Sequence, residues 1–239
     1  MQMEQIGYPE DIPALGAAEV AVWGLALSPC TWEVEKLLDW LSEEERSRIE
    51  RKKRPEARRA AICARAGLRL LLGHYTQTPP QKVQLRQASS GKPFLADQSL
   101  SFNLSHSGDW IVWAVSLQGE VGVDLEEIDP AVHWQRVATR YFSEEEQGAL
   151  QASAEPLRLF YDLWAMKEAW VKSSGEGVFA AMKRCRLPLT DQKAPMSAEV
   201  GGRYLYRIEA GSHYASALAT NFRVEAQPCY DMGGVSWGV

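Results

Sequence analysis

The chain of 239 residues has no apolar run of membrane-spanning length, and its first residues, Met1-Gln-Met-Glu-Gln5, lack the basic and apolar regions of a signal peptide. A soluble cytoplasmic protein is the expectation. Its four cysteines, Cys30, Cys63, Cys185 and Cys229, lie far apart, with no CxxC and no histidine at zinc spacing, so they read as reduced thiols. Disulfide scaffolding, structural zinc and dithiol redox chemistry drop out. With 46% hydrophobic and 24% charged residues, the composition is that of an ordinary globular protein with one large domain or two small ones.

The formal net charge of -5 hides a local asymmetry. Arg46, Arg48, Arg51, Lys52, Lys53, Arg54, Arg58, Arg59, Arg65 and Arg69 are opposed only by Glu50 and Glu56 in the same stretch. A basic stripe on an acidic protein points to an anionic ligand or partner there.

Periodicity predicts a strand at Val20–Leu27, helical turns over Trp32–Trp40, and a helix opened by the capping box of Ser42 and Glu45. Pro55 breaks or restarts that helix, and apolar residues at helical spacing predict a long, half-buried helix over Glu56–Tyr75. Short strands are predicted near Val83–Arg86 and Trp110–Ser116, separated by the turn-rich Ser89-Ser-Gly-Lys-Pro93 and Ser105-His-Ser-Gly108. Several of these markers recur 101 positions later: Val20-Ala-Val22 as Val121-Gly-Val123, Leu41-Ser-Glu-Glu-Glu45 as Phe142-Ser-Glu-Glu-Glu146, and Pro55 and Ala64 as Pro156 and Ala165. The constant offset favours an internal duplication. At the same offset Asp124, Glu126, Glu168 and Lys172 correspond to Trp23, Leu25, Gly67 and Leu71, so the fold does not require charge at those places. If the halves pack face to face, one chemical site between them is the expectation, with acids from the second half and basic residues from the first.

Two segments carry the chemistry. In Val121-Gly-Val-Asp-Leu-Glu-Glu127, an extended backbone puts Asp124 and Glu126 on one face; in Trp164-Ala-Met-Lys-Glu-Ala-Trp-Val-Lys172, a helix puts Trp164, Glu168 and Lys172 on one stripe. Three carboxylates and an ammonium suit magnesium when phosphate oxygens complete the shell. An exposed strand end with solvated acids and a surface Glu168–Lys172 ion pair are the bland readings of the same residues. Asp162, Asp129 and Glu144-Glu145-Glu146 read as helix caps, loop solvation and dipole complement. Trp23 and Trp113 alternate as buried strand residues, and the tail Gln227–Val239 carries no recognisable chemistry.

Gly91-Lys-Pro93, Phe102-Asn-Leu-Ser-His-Ser-Gly108, Gly122-Val-Asp-Leu-Glu126 and Phe160-Tyr-Asp-Leu-Trp-Ala-Met-Lys-Glu-Ala-Trp-Val-Lys172 occur in one order and spacing. In these stretches the chain resembles the Sfp-type 4'-phosphopantetheinyl transferases, and the resemblance runs from about Ser42 to Gly177. It implies an α/β (α+β) fold of two pseudo-twofold-related subdomains, each a small, mainly antiparallel sheet packed with a long helix. The halves are taken as residues 1–118, with coenzyme A and carrier contacts on a basic helix, and 119–239, with the magnesium ligands and catalytic helix. It further implies a monomer that moves the phosphopantetheine arm of coenzyme A to a serine of an acyl or peptidyl carrier protein and releases 3',5'-ADP. Asp124, Glu126 and Glu168 would then bind Mg2+, Glu168 would help deprotonate the serine, and Lys172 would face the pyrophosphate. His106 is assigned by the resemblance to the 3'-phosphate of coenzyme A, with Ser105, Lys92 and Arg59 as further coenzyme A contacts. Near Arg59 the Lys52-Lys53-Arg54-Pro55 stretch departs from the aromatic-containing family pattern. Two other classes share these residues: a metal-dependent phosphohydrolase using the same acids on water, and a nucleic-acid-binding module using the basic stripe, against which the negative total charge speaks.

Overall fold

The structure is a computed structural model that describes residues 12–28, 30–175, 181–191, 193–227 and 229–232. The first five residues, Gly177 at the end of the resemblance, and the last part of the tail lie outside the described residues.

The first half runs β1 (Ala21–Ala26), α1 (Val34–Leu37), α2 (Glu43–Glu50), α3 (Pro55–Tyr75), β2 (Leu85–Gln87), β3 (Pro93–Leu95), β4 (Ser101–Ser107) and β5 (Trp110–Ser116). The second runs β6 (Val121–Glu127), α4 (Trp134–Tyr141), α5 (Glu144–Ala152), α6 (Pro156–Ser174), β7 (Ser197–Val200), β8 (Arg203–Ile208) and β9 (Tyr214–Thr220), before β10 (Cys229–Asp231). The strand order β1-β5-β4 in one sheet is repeated as β6-β9-β8 in the other, and every pair in these runs is antiparallel. Pro55 and Pro156 each open the long helix of their half, where a missing N–H costs nothing. Ser42 with Glu45 and Ser143 with Glu146 both form complete capping boxes.

Each long helix covers the outer face of its own sheet. Trp23, Leu25, Ile111 and Trp113 pack against α3, while Ala215, Ala217 and Ala219 pack against α6. The inner faces meet through Val20, Val22, Val112, Ala114, Val121, Val123, Leu125, Ile208 and Leu218. Where the sheet edges meet, side chains of β4 substitute for a missing strand partner. Asn103 Oδ1 accepts from Val123 N at 2.9 Å and Ser107 Oγ from Glu127 N at 2.9 Å.

Two sequence expectations change here. Ser105, His106 and Ser107 belong to β4, and the turn is confined to its end, where Gly108 adopts φ +54°. Within the tail, β10 adds in parallel to β1, and Tyr230 stacks on Trp23 at 4.5 Å between ring centroids. Asp162 is no cap; it is buried in mid-α6, bridging Arg158 and Arg207 at 3.0 Å each.

Glu146 is likewise more than a dipole complement. It is fully buried and pairs with the fully buried Lys167 at 2.9 Å, while Lys167 also donates to the carbonyl of Cys185. In the first half Glu45 pairs with Arg69 at 2.8 Å, and Arg69 donates to the carbonyls of Pro80 and Val83. Each capping box is thus tied to a cation on the long helix that also holds the following loop. Removing one partner of such a buried pair leaves an uncompensated charge. Glu146→Ala is therefore expected to cost about 3 to 5 kcal/mol in urea unfolding, and an unchanged midpoint would contradict this account.

Candidate active site

The site forms because α6 lies directly on β6. A Cβ built on Gly122 would fall 2.2 Å from the carbonyl oxygen of Ala169 and 2.3 Å from the amide of Ser173, so only glycine permits this approach. Opposite Asp124 in the sheet stands the small Ala217. In the first half, Trp23 is paired with Trp113 instead, and a Cβ on Gly67 of α3 would meet the Trp113 ring at 2.6 Å. The positions corresponding to Asp124, Glu126 and Lys172 are Trp23, Leu25 and Leu71, all fully buried. Bulky rings fill in one half the space that polar groups occupy in the other.

Side chains of β6 and α6 meet here. Lys172 Nζ lies 2.5 Å from Asp124 Oδ1 and 2.9 Å from Ser105 Oγ, and Ser105 Oγ donates to Asp124 Oδ1 at 3.0 Å. Trp164 Nε1 donates to Glu126 Oε1 at 3.2 Å. Because Trp164 touches one acid and Lys172 the other, Glu168, midway on the same stripe, faces both.

Electrostatics bear out this crowding. Glu126 is pushed up to about 7, first by burial and then by Asp124, with Glu168 adding to the shift and the Trp164 indole and Lys172 opposing it. Glu168 is also pushed up to about 7, by burial and by Asp124, against the pull of Lys172. Asp124 is 2% exposed, and its second oxygen, Oδ2, is buried without a hydrogen-bond partner among the described residues. An orphaned carboxylate oxygen beside two other acids fits a divalent cation, which would accept that lone pair and relieve the repulsion. Among the described residues no three such side chains are preassembled as a metal cage; Asp124 Oδ1 is ion-paired with Lys172 instead.

The proposed nucleotide contacts divide. Ser105 and Lys172 join the acids directly. His106 is on the α3 face of β4, paired with Ile111, and its imidazole is held below the ordinary histidine pKa by crowding from protein atoms and then by Lys52, Lys172 and Arg65. Lys52 and Arg65 of the basic stripe and Lys172 of α6 together make this corner attractive to an anion. Arg59 donates to the carbonyls of Cys30 at 2.6 Å and Leu27 at 3.4 Å, bracing the loop after β1. Lys92 places its ammonium on the carbonyls of Val121, Lys172 and Ser173, and burial brings its pKa down to about 8. Of the remaining stripe, Arg69 is structural, whereas Arg51, Lys52, Lys53, Arg54 and Arg58 are exposed. A shallow cavity of about 610 Å³ lined by Leu41, Glu43, Arg46, Ser47 and Glu50 contains none of the three acids.

Residues 120–225 match the family model described as the 4'-phosphopantetheinyl transferase superfamily, and residues 26–118 match the one described as 4'-phosphopantetheinyl transferase, N-terminal. The chain is 33% identical over 178 residues to the 4'-phosphopantetheinyl transferase HetI of Nostoc sp., covering 72% of this chain and 75% of that protein. This chain belongs to the Sfp-type 4'-phosphopantetheinyl transferase family. It is also 36% identical over 149 residues to a putative 4'-phosphopantetheinyl transferase of Synechocystis sp., covering 60% of this chain and 61% of that relative. With the 4'-phosphopantetheinyl transferase Sfp of Bacillus subtilis the identity is 30% over 149 residues, covering 61% of this chain and 65% of that one. The matched pieces of this phosphopantetheinyl transferase sequence meet at the boundary between β5 and β6, where the two sheets face each other.

Where a folded carboxyl has a raised pKa, the folded state binds the extra proton between its unfolded and folded values, so stability is lost as pH rises through that window. For Glu126 the window runs from 4.5 to about 7. In metal-free solution Glu126→Gln should therefore flatten the fall in melting temperature across this range and be more stable than wild type at pH 8. Parallel wild-type and variant curves in calorimetry would count against a buried, repelled carboxylate.

Proposed function

We propose that this chain transfers the 4'-phosphopantetheine arm of coenzyme A to a serine of an apo acyl or peptidyl carrier protein, using Mg2+ held by Asp124, Glu126 and Glu168. The observation that carries this reading is the helix stripe of Trp164, Glu168 and Lys172 laid across Asp124 and Glu126, in a chain of this family. Bound magnesium would neutralise a diphosphate and polarise its oxygens.

The chain's own groups account for the remaining chemistry. Glu168, with a pKa near neutrality, takes the proton of the carrier serine, directly or through one water. The serine oxygen attacks the β-phosphorus, a new phosphodiester forms, and the bond to the bridging oxygen breaks to release 3',5'-ADP. Lys172, already seated between Asp124 and Ser105, balances the charge that develops on the leaving phosphate. Ser105 and Asp124 hold that ammonium in register. His106, within the positive field of Lys52 and Arg65, receives the 3'-phosphate; Arg59 contributes from the loop it braces. Catalysis on this reading is positioning and charge neutralisation, with no covalent enzyme intermediate. The exposed Arg51–Arg54 segment and Arg58 suit the acidic surface of a carrier protein. A cytoplasmic monomer completes the proposal; among the described residues, no helix is long and apolar enough to cross a membrane.

The direct test is mass spectrometry of apo carrier proteins incubated with the protein, coenzyme A and magnesium. One serine should gain the phosphopantetheine mass, and free phosphopantetheine without any carrier would instead indicate hydrolysis. Glu168→Gln should retain coenzyme A binding in calorimetry while losing about 100-fold or more in turnover, the scale of a general base. His106→Ala should weaken use of coenzyme A more than use of dephospho-coenzyme A; equal losses would remove the 3'-phosphate assignment.

A further inference from the structure

The last carbonyls of a helix lack partners within it and must find donors elsewhere. At the end of α6, Gly175 turns left-handed at φ +67° and its N–H returns to Val171 O at 3.2 Å. The carbonyls of Lys172 and Ser173 are met from outside the helix. Lys92 Nζ donates to them at 2.7 and 3.3 Å, and to Val121 O, at the start of β6, at 3.0 Å.

Lys92 comes from the other half of the molecule. It sits at the tip of the β2–β3 hairpin, where Gly91 takes φ +85°, Gly91 N donates to Ala88 O and Ala88 N donates to Lys92 O. The tip rests on the helix end: a Cβ on Gly175 would lie 3.8 Å from Ser90 Oγ and 4.0 Å from Lys92 Cδ. An ammonium has three donors, and here three carbonyls take them, so none is left over for a phosphate. A cation at a helix C-terminus is also favoured by the helix dipole. Among the described residues the first-half helix has no such device: α3 ends with Thr76 donating its amide and its hydroxyl locally to Leu72 O.

We infer that Lys92 is a positioning residue, a latch by which the first half grips the end of α6 and so holds Lys172 against Asp124 and Ser105. The carbonyl it grips and the ammonium it steadies belong to the same residue. A backbone shift at Lys172 therefore moves its Nζ relative to the acids, and displacement of about 1 Å in such a group can cost about 100-fold in rate. This part of the inference rests on the transfer activity proposed above; the latch itself does not.

The test compares wild type with Lys92→Met, which keeps length but removes all three donors, and Lys92→Gln, which keeps two. Hydrogen–deuterium exchange of the ligand-free protein should speed up about tenfold in the last turn of α6 and at the start of β6 for Lys92→Met, less for Lys92→Gln, with α3 unchanged. In steady-state transfer, kcat should fall about tenfold while the KM for coenzyme A stays within about twofold, the pattern of a lost transition-state arrangement. Unchanged exchange at the helix end overturns the latch. A raised KM with kcat retained also overturns it, and makes Lys92 a ligand contact. If wild type transfers nothing, the proposed function fails while the exchange experiment still decides the latch. If Lys92→Met does not fold, Lys92→Gln carries both measurements.

Discussion

The closeness of α6 to β6 is the constraint on which the site depends. Gly122 lets the helix backbone approach where any side chain would collide with Ala169 and Ser173, and Ala217 keeps the neighbouring strand from filling the gap. At that separation, side chains of ordinary length from helix and strand meet face on. Lys172 then reaches Asp124, Trp164 reaches Glu126, and Glu168 is trapped between the two contacts. A slightly larger spacing would leave the same residues as solvated surface charges with little mutual influence.

Putting acids together at partial burial is costly, and the protein answers only part of that cost. Lys172 and Ser105 satisfy one oxygen of Asp124, and the Trp164 indole satisfies one of Glu126. Among the described residues the other Asp124 oxygen has no hydrogen-bond partner, and burial and neighbouring acids push Glu126 and Glu168 up to about 7. Structural ion pairs elsewhere in the chain are complete, as Glu146 with Lys167 and Glu45 with Arg69 demonstrate. Among the described residues, the buried carboxylate oxygen without a hydrogen bond is that of Asp124, beside Glu126 and Glu168.

The two halves show how one architecture supports two outcomes. Both use a proline-started long helix, a serine-glutamate capping box tied to a helix cation, and three antiparallel strands in the same order. In the first, the Trp23–Trp113 pair and Gly67 turn the equivalent space into hydrophobic core; in the second, alanines and Gly122 leave it for chemistry. β10 returns from the second half to pair with β1, so the halves share strands as well as an apolar interface.

Much of this was legible in the chain itself. The capping boxes, the long helices, the shared strand face of Asp124 and Glu126 and the shared helix stripe of Glu168 and Lys172 follow from local periodicity, which the backbone imposes residue by residue, and the constant offset of 101 positions marks the repeat. Gly108 and the serines signal a loop at Ser105-His-Ser107, but these residues form a strand whose alternating Asn103, Ser105 and Ser107 make one polar face. What sequence alone determined was which residues share a face of one element. Only the tertiary structure decided which faces meet: that the charges of Lys52 and Arg65 are felt at His106, that Arg59 and Lys92 direct their donors at carbonyls, and that Glu146 is a buried counterion. The reason is physical, since a hydrogen bond across 80 positions depends on how separate elements pack, and no local rule encodes that distance.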